Sequence, residues 1–204
     1  MDYFSYTQKV TAKASIPPFV IASGFLAVLL IMWEQEFKHY VPVGDHSTLT
    51  LNSTLNVDFL IKDKPSYLHF FSDECRSARV NLNHIKPIIS TYQEQVNFYI
   101  INSSAISSEQ LRKKYGIPDQ VQILDDSSGF IAQSLEVKSL PYALIVTKDQ
   151  ELYFGGNYNN KNGLCGADEI IWSSPAVALN FLQEQKNPPL FPDHQLDFIG
   201  CGIF

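Results

Sequence analysis

The chain has 204 residues, 45% hydrophobic and 18% charged, with a net charge of −6. That composition argues against a disordered polypeptide and suits one cored domain plus an anchor or tail. The acidic balance and the lack of a long basic run argue against a nucleic-acid partner. The three cysteines form no C-x-x-C pair and none stands at helical ligand spacing to a histidine, so neither a metal nor another cofactor is expected.

Ala14 to Trp33 carries no charge, and a spanning helix needs about 20 mostly apolar residues. Pro17 and Pro18 suit a first helical turn, and Trp33 suits an interface. Lys9 and Lys13 precede the run, while Glu34 and Glu36 follow it. The positive-inside rule then places the N-terminus in the cytoplasm and the main domain outside. A cleaved signal peptide lacks its small-x-small site after Leu30, and a buried core helix would show a polar face. The expected layout is a cytoplasmic tail at 1–15, a transmembrane anchor at 16–36, a linker with an edge strand at 37–56, a domain at 57–186 and a docked tail at 187–204. Asn52 and Asn102 open glycosylation sequons, which matter only in a eukaryotic secretory pathway.

Thr48 to Leu51 alternates weakly, and Val57, Phe59 and Ile61 would share one face of a short strand. Tyr67 to Phe71 reads as a buried strand. A helix follows from Arg76 on the spacing of Val80, Leu82, Ile85, Ile88 and Ile89, with a kink or break expected before Pro87. Val96 to Ile101, rich in β-branched and aromatic residues, is a second strand. Ser107-Ser-Glu-Gln110 has the form of a capping box for a helix to Tyr115, ended by Gly116. A short strand at Val121 to Leu124 and a short helix at Gly129 to Leu135 come next. Tyr142 to Val146 and Leu152 to Phe154 form a hairpin around Lys148-Asp-Gln-Glu151. After a polar loop at Gly155 to Gly163, a helix runs from Asp168 to about Gln185, interrupted at Pro175. The segment from Phe198 to Phe204 is too apolar to stay loose in solvent.

The order strand, cysteine turn, helix, strand, then X-Pro, strand, turn, strand, helix resembles the thioredoxin superfamily, over roughly Val57 to Glu184. Cys75 stands at the start of the first core helix, Leu140-Pro141 just before a strand, and Lys148 to Gly156 looks like the closing hairpin. The resemblance implies an α/β thioredoxin-like fold, with a mixed central sheet flanked by helices. It also implies a nucleophilic Cys75 and a cis Pro141 that shapes a substrate groove with Leu140 and Arg76. The family's C-x-x-C reads Cys75-Arg76-Ser77-Ala78 here, so the motif is degenerate and the helix lacks its own resolving thiol. A membrane-anchored domain of this kind is a bacterial envelope arrangement, in the inner membrane with the main domain periplasmic.

A helix N-terminus and Arg76 favour a Cys75 thiolate, whereas Asp73 and Glu74 oppose it. Cys165 and Cys201 each have glycine beside them. A Cys165–Cys201 disulfide pinning the tail would close about 35 residues and stabilise by about 3–4 kcal/mol. The alternative is that one of these two resolves Cys75. His69, in the strand before Cys75, points either into the core or toward the site. Two functions remain open. One is thiol–disulfide exchange through Cys75 alone, with protein or small-molecule thiols and disulfides as partners. The other is a redox-inert module that binds a protein or peptide through the groove or the Asn-rich loop.

Overall fold

In the computed structural model, residues 17–37, 49–158, 173–198 and 200–203 are described. They belong to two units, divided between Lys38 and His39. The first contains one helix, α1 (Pro18–Phe37). Its side chains from Phe19 to Trp33 are apolar or small, and they are exposed. Among the described residues, no helix is long and apolar enough to cross a membrane. The predicted cytoplasmic tail, residues 1–15, lies outside the described residues.

The second unit runs β1 (Ser66–Phe71), α2 (Arg76–Tyr92), β2 (Asn97–Asn102), α3 (Ser108–Tyr115), β3 (Gln122–Asp125), α4 (Phe130–Ser134) and β4 (Ser139–Leu140). It continues with β5 (Tyr142–Val146), β6 (Leu152–Gly156), α5 (Ser174–Gln183), α6 (Asp193–Leu196) and β7 (Cys201–Gly202). Five strands make one sheet in the order β3-β2-β1-β5-β6, and β4 and β7 make a separate pair. β1 runs parallel to β2 and antiparallel to β5, so the sheet is mixed as expected. Every residue of β1 and β5 is buried. Strands flanked on both edges and covered on both faces read in sequence as apolar runs, here Tyr67 to Phe71 and Tyr142 to Val146.

α3 carries the predicted cap. Ser107 Oγ accepts from Gln110 N, and the Gln110 side chain accepts in return from Ser107 N at 3.1 Å. Gly116 ends the helix in the left-handed conformation. The short helix α4 is tied down by Asp126, whose carboxylate accepts from Ile131 N at 2.8 Å and Ala132 N at 2.9 Å.

Two expectations are corrected. α2 runs through Pro87 without a break. Ile85, Ile88 and Ile89, on both sides of the proline, are buried against the core, and that packing outweighs the missing N–H. Second, the described residues before β1, 49–65, form no strand, only an isolated bridge from Thr54 to Glu151. Leu60 N closes a turn on Val57 O at 2.9 Å, and Ile61 N donates to Tyr99 Oη at 2.9 Å rather than to a ladder partner. Val57 and Leu60 are buried while Phe59 and Ile61 are exposed, so the alternating residues share no face. Pro175 stands at the start of α5, where the interruption of the expected helix falls. It lies in the first turn of α5, behind an extended Ser173, where its lost N–H costs little. The predicted residues 168–172 of that helix lie outside the described residues.

Candidate active site

Cys75 is the N-cap residue of α2, in extended conformation (φ −86°, ψ 115°). Its carbonyl accepts the first helical bond, from Arg79 N at 3.1 Å, and its own N–H donates to Ser72 O at 3.2 Å. Its side chain makes no capping bond, and the first turn of α2 contains no acid. The partial positive charge of the free N–H groups is therefore not cancelled by the helix's own side chains. The acids just before it are engaged. Asp73 accepts from Lys114 Nζ at 2.8 and 2.9 Å and from the Tyr115 hydroxyl, and Glu74 accepts from Ser72 Oγ. Burial raises the Asp73 carboxyl. The Lys114 and Tyr115 bonds and the charges of Lys114 and Arg79 outweigh it, holding that group below the usual carboxylate range.

Cys75 is bonded to Cys201. The sulfurs lie 2.12 Å apart and the Cα atoms 5.9 Å apart, across 126 positions of sequence. This overturns the expected Cys165–Cys201 disulfide: Cys201 carries one sulfur, and that sulfur is already bonded. Cys165 lies outside the described residues. The reason Cys201 reaches Cys75 is a local sheet. β7 pairs antiparallel with β4, with Leu140 opposite Cys201 and Ser139 opposite Gly202. Ile203 N extends the pairing to Lys138 O at 3.2 Å. The Leu140–Pro141 bond is cis, and Leu140 O lies 3.6 Å from Cys75 Sγ. With both sulfurs bonded neither carries a proton, so this contact is not a hydrogen bond.

The structure thus gathers Cys75, Leu140, Pro141 and Cys201 at one place. Cys75 is buried, 3% exposed, whereas Cys201 is half-buried. Arg76 follows Cys75 on the exposed side of α2. The pairing of Cys75 with Cys201 was only the alternative in the sequence. Its signal is Ile199-Gly-Cys-Gly-Ile203, where glycines thin the backbone beside a cysteine and isoleucines flank it. Among the described residues, no cluster of His, Cys, Asp and Glu is placed to hold a metal ion.

Of the two readings of His69, the structure shows the core. His69, in the middle of β1, is fully buried with Nδ1 2.6 Å from Tyr158 Oη, which lies 2.7 Å from Tyr67 Oη. His69 Nε2 has no hydrogen-bond partner among the described residues. Burial pushes the imidazole down to about 3 and both phenols up. The unfolded chain takes a proton on this histidine below about 6.5, and the folded one does not until about 3. The neutral imidazole's contribution is complete above pH 6.5 and is lost as pH falls toward 3. Denaturant titrations should show about 2 kcal/mol lost between pH 6.5 and 5 through this group, and a His69→Gln variant should lack that component. Equal acid sensitivity in both proteins would sink the assignment.

A parallel β1-β2-β3 half joined to an antiparallel β5-β6 hairpin, with a cysteine capping α2 beside a cis proline, is a thioredoxin-like arrangement. No family model and no curated protein matches the sequence. Among solved structures, a hypothetical protein from Sinorhizobium meliloti 1021 overlays with a TM-score of 0.64 at 18% identity, covering 78% of this chain and 96% of that one. An uncharacterized conserved protein from Geobacillus kaustophilus gives 0.58 at 18% identity, covering 81% and 94%. The exposed lipoprotein thioredoxin of Streptococcus pneumoniae overlays more loosely, with 0.43 at 21% identity over 60% and 86%. At these identities the first two likenesses speak to the fold alone.

Proposed function

We propose that this domain carries out thiol–disulfide exchange, with Cys75 and Cys201 as its redox couple and protein or small-molecule thiols and disulfides as its partners. The observation that carries the reading is the Cys75–Cys201 bond at the N-terminus of α2, beside Leu140 and Pro141. A helix N-terminus without its own acids favours the Cys75 thiolate as nucleophile and as leaving group. Cys201 supplies the second thiol that Ala78 does not, so the couple replaces the single-cysteine mechanism expected from the motif.

The test uses the full chain after reduction. The reduced protein should cleave a small aromatic disulfide, Cys75→Ser should fall to the buffer background, and Cys201→Ser should attack once and accumulate a mixed disulfide. Equal activity in Cys75→Ser would refute the reading. The burial of Cys75, at 3% exposure, favours a second reading. In it the bond is a permanent clasp, and the domain is a redox-inert binder of a protein or peptide through the groove or the Gly155 to Gly163 loop. A bond that resists excess dithiol in the folded protein at neutral pH would select that reading.

The proposed setting is the bacterial inner membrane, with a single anchor at 16–36, the N-terminus cytoplasmic and the domain at 57–186 periplasmic. The uncharged run from Ala14 to Trp33 motivates it, and the apolar side chains of α1 from Phe19 to Trp33 are exposed.

A further inference from the structure

The segment that delivers Cys201 does so as an added strand. β4 and β7 pair only with each other, outside the main sheet. Removing β7 leaves the backbone groups of Ser139 and Leu140 without strand partners, and such an edge takes up another extended segment in the same register. That register is set: the residue opposite Leu140 is the one whose sulfur meets Cys75.

The residue before that sulfur meets a steric limit. Gly200 has φ +140°, and a Cβ there would lie 1.9 Å from Leu140 O and 2.9 Å from Leu140 C. Both obstacles are backbone atoms, which cannot swing aside as a side-chain tip can. Gly202, on the other side of Cys201, is exposed.

The geometry points to β4 as a docking edge for extended polypeptide segments in which glycine directly precedes the reacting cysteine, with residues 200–203 as its tethered occupant. This rests on the exchange reading and names its substrate class. In the reduced protein the Cys75 thiolate attacks the cysteine sulfur of a docked disulfide. The substrate S–S bond breaks, a Cys75–substrate disulfide forms, and the departing sulfur leaves as a thiolate that takes a proton from water. The Cys201 thiolate then attacks Cys75 Sγ and expels the substrate cysteine as a thiolate. The substrate disulfide has gained two electrons, Cys75 and Cys201 have lost two, and the returning strand has cleared the edge.

The experiment uses the full-length Cys201→Ser protein and three probes carrying a pyridylthio leaving group. One is a peptide with a Gly-Cys-Gly centre, one its Ala-Cys-Gly twin, and one the small dipyridyl disulfide. The glycine peptide should release pyridinethione about tenfold faster than the alanine peptide, the size of one forced backbone conformation. Equal peptide rates with a fast small-disulfide reaction would overturn the glycine selection and leave the exchange reading intact. Failure of Cys75 to react with any of the three would overturn the exchange reading itself. A second measurement reads the occupant. Gly200→Ala in the otherwise native chain should shift the Cys75–Cys201 equilibrium in a dithiothreitol buffer about tenfold toward the dithiol. An unshifted equilibrium would show that the wall at Leu140 is not felt.

Discussion

Replacing Cys201 with serine will lower the stability of the oxidised domain by about 3–5 kcal/mol. The bond joins positions 126 apart, and in the chain-entropy account a loop of that length removes close to the largest share of unfolded-state freedom that one crosslink can. Cys75→Ser should cost a similar amount, because either substitution opens the same loop. Cys165→Ser should cost nothing through this term, since Cys201 is already bonded. Denaturant midpoints for the three variants under non-reducing conditions check this, with peptide mapping to locate the bond. A large loss in Cys165→Ser together with a small one in Cys75→Ser would restore the Cys165–Cys201 pairing and remove the proposed couple.

Phe198→Ala will be nearly as severe, at about 3–5 kcal/mol. Phe198 is fully buried, its ring 4.9 Å from that of Tyr142 and tilted by 32°. The segment around it is held by weaker bonds: Tyr142 Oη donates to Leu196 O at 3.3 Å, and Asn157 Nδ2 to Asp197 O at 3.0 Å. No neighbouring side chain can fill the space that the ring leaves without moving β5, whose residues are all buried. The loss should also appear at the sulfur. Cys201 sits three positions beyond this anchor, so a dithiol should reduce the Cys75–Cys201 bond faster in Phe198→Ala than in the native chain. Unchanged reduction with reduced stability would mean that β7 is held by its pairing with β4 rather than by the ring.

Much of this architecture was legible because local chemistry and burial agree. The apolar runs at Tyr67 and Tyr142 became strands buried throughout, and Ser107 with Gln110 formed the box that their spacing announced. The failures came where tertiary contacts override local pattern. Pro87 should break a helix, yet the isoleucines around it hold one. Alternation from Val57 to Ile61 suggests a strand, but Asn56 and Asp58 favour turning, and the backbone bonds to itself and to Tyr99. The site was half legible. Cys75 and Pro141 could be placed by their position relative to the strands, but no local rule pairs residue 75 with residue 201. That contact depends on how the segment after α6 returns along β4, which only the assembled fold decides.

The docked segment also sets how readily its sulfur gives up its partner. Tethering makes the meeting of Cys201 with Cys75 an intramolecular event, governed by an effective concentration rather than by a bulk one. If exchange requires the reduced segment to leave β4, each contact that seats it, from the Phe198 ring to the Asn157 amide, is present in the disulfide form alone. Such contacts lower the reduction potential of the pair without touching either sulfur. About 1.4 kcal/mol of seating corresponds to roughly 30 mV. On the exchange reading, the packing of residues 196–198 against β5 and β6 is then a place where the potential of the proposed couple can be tuned while the chemistry at Cys75 stays the same.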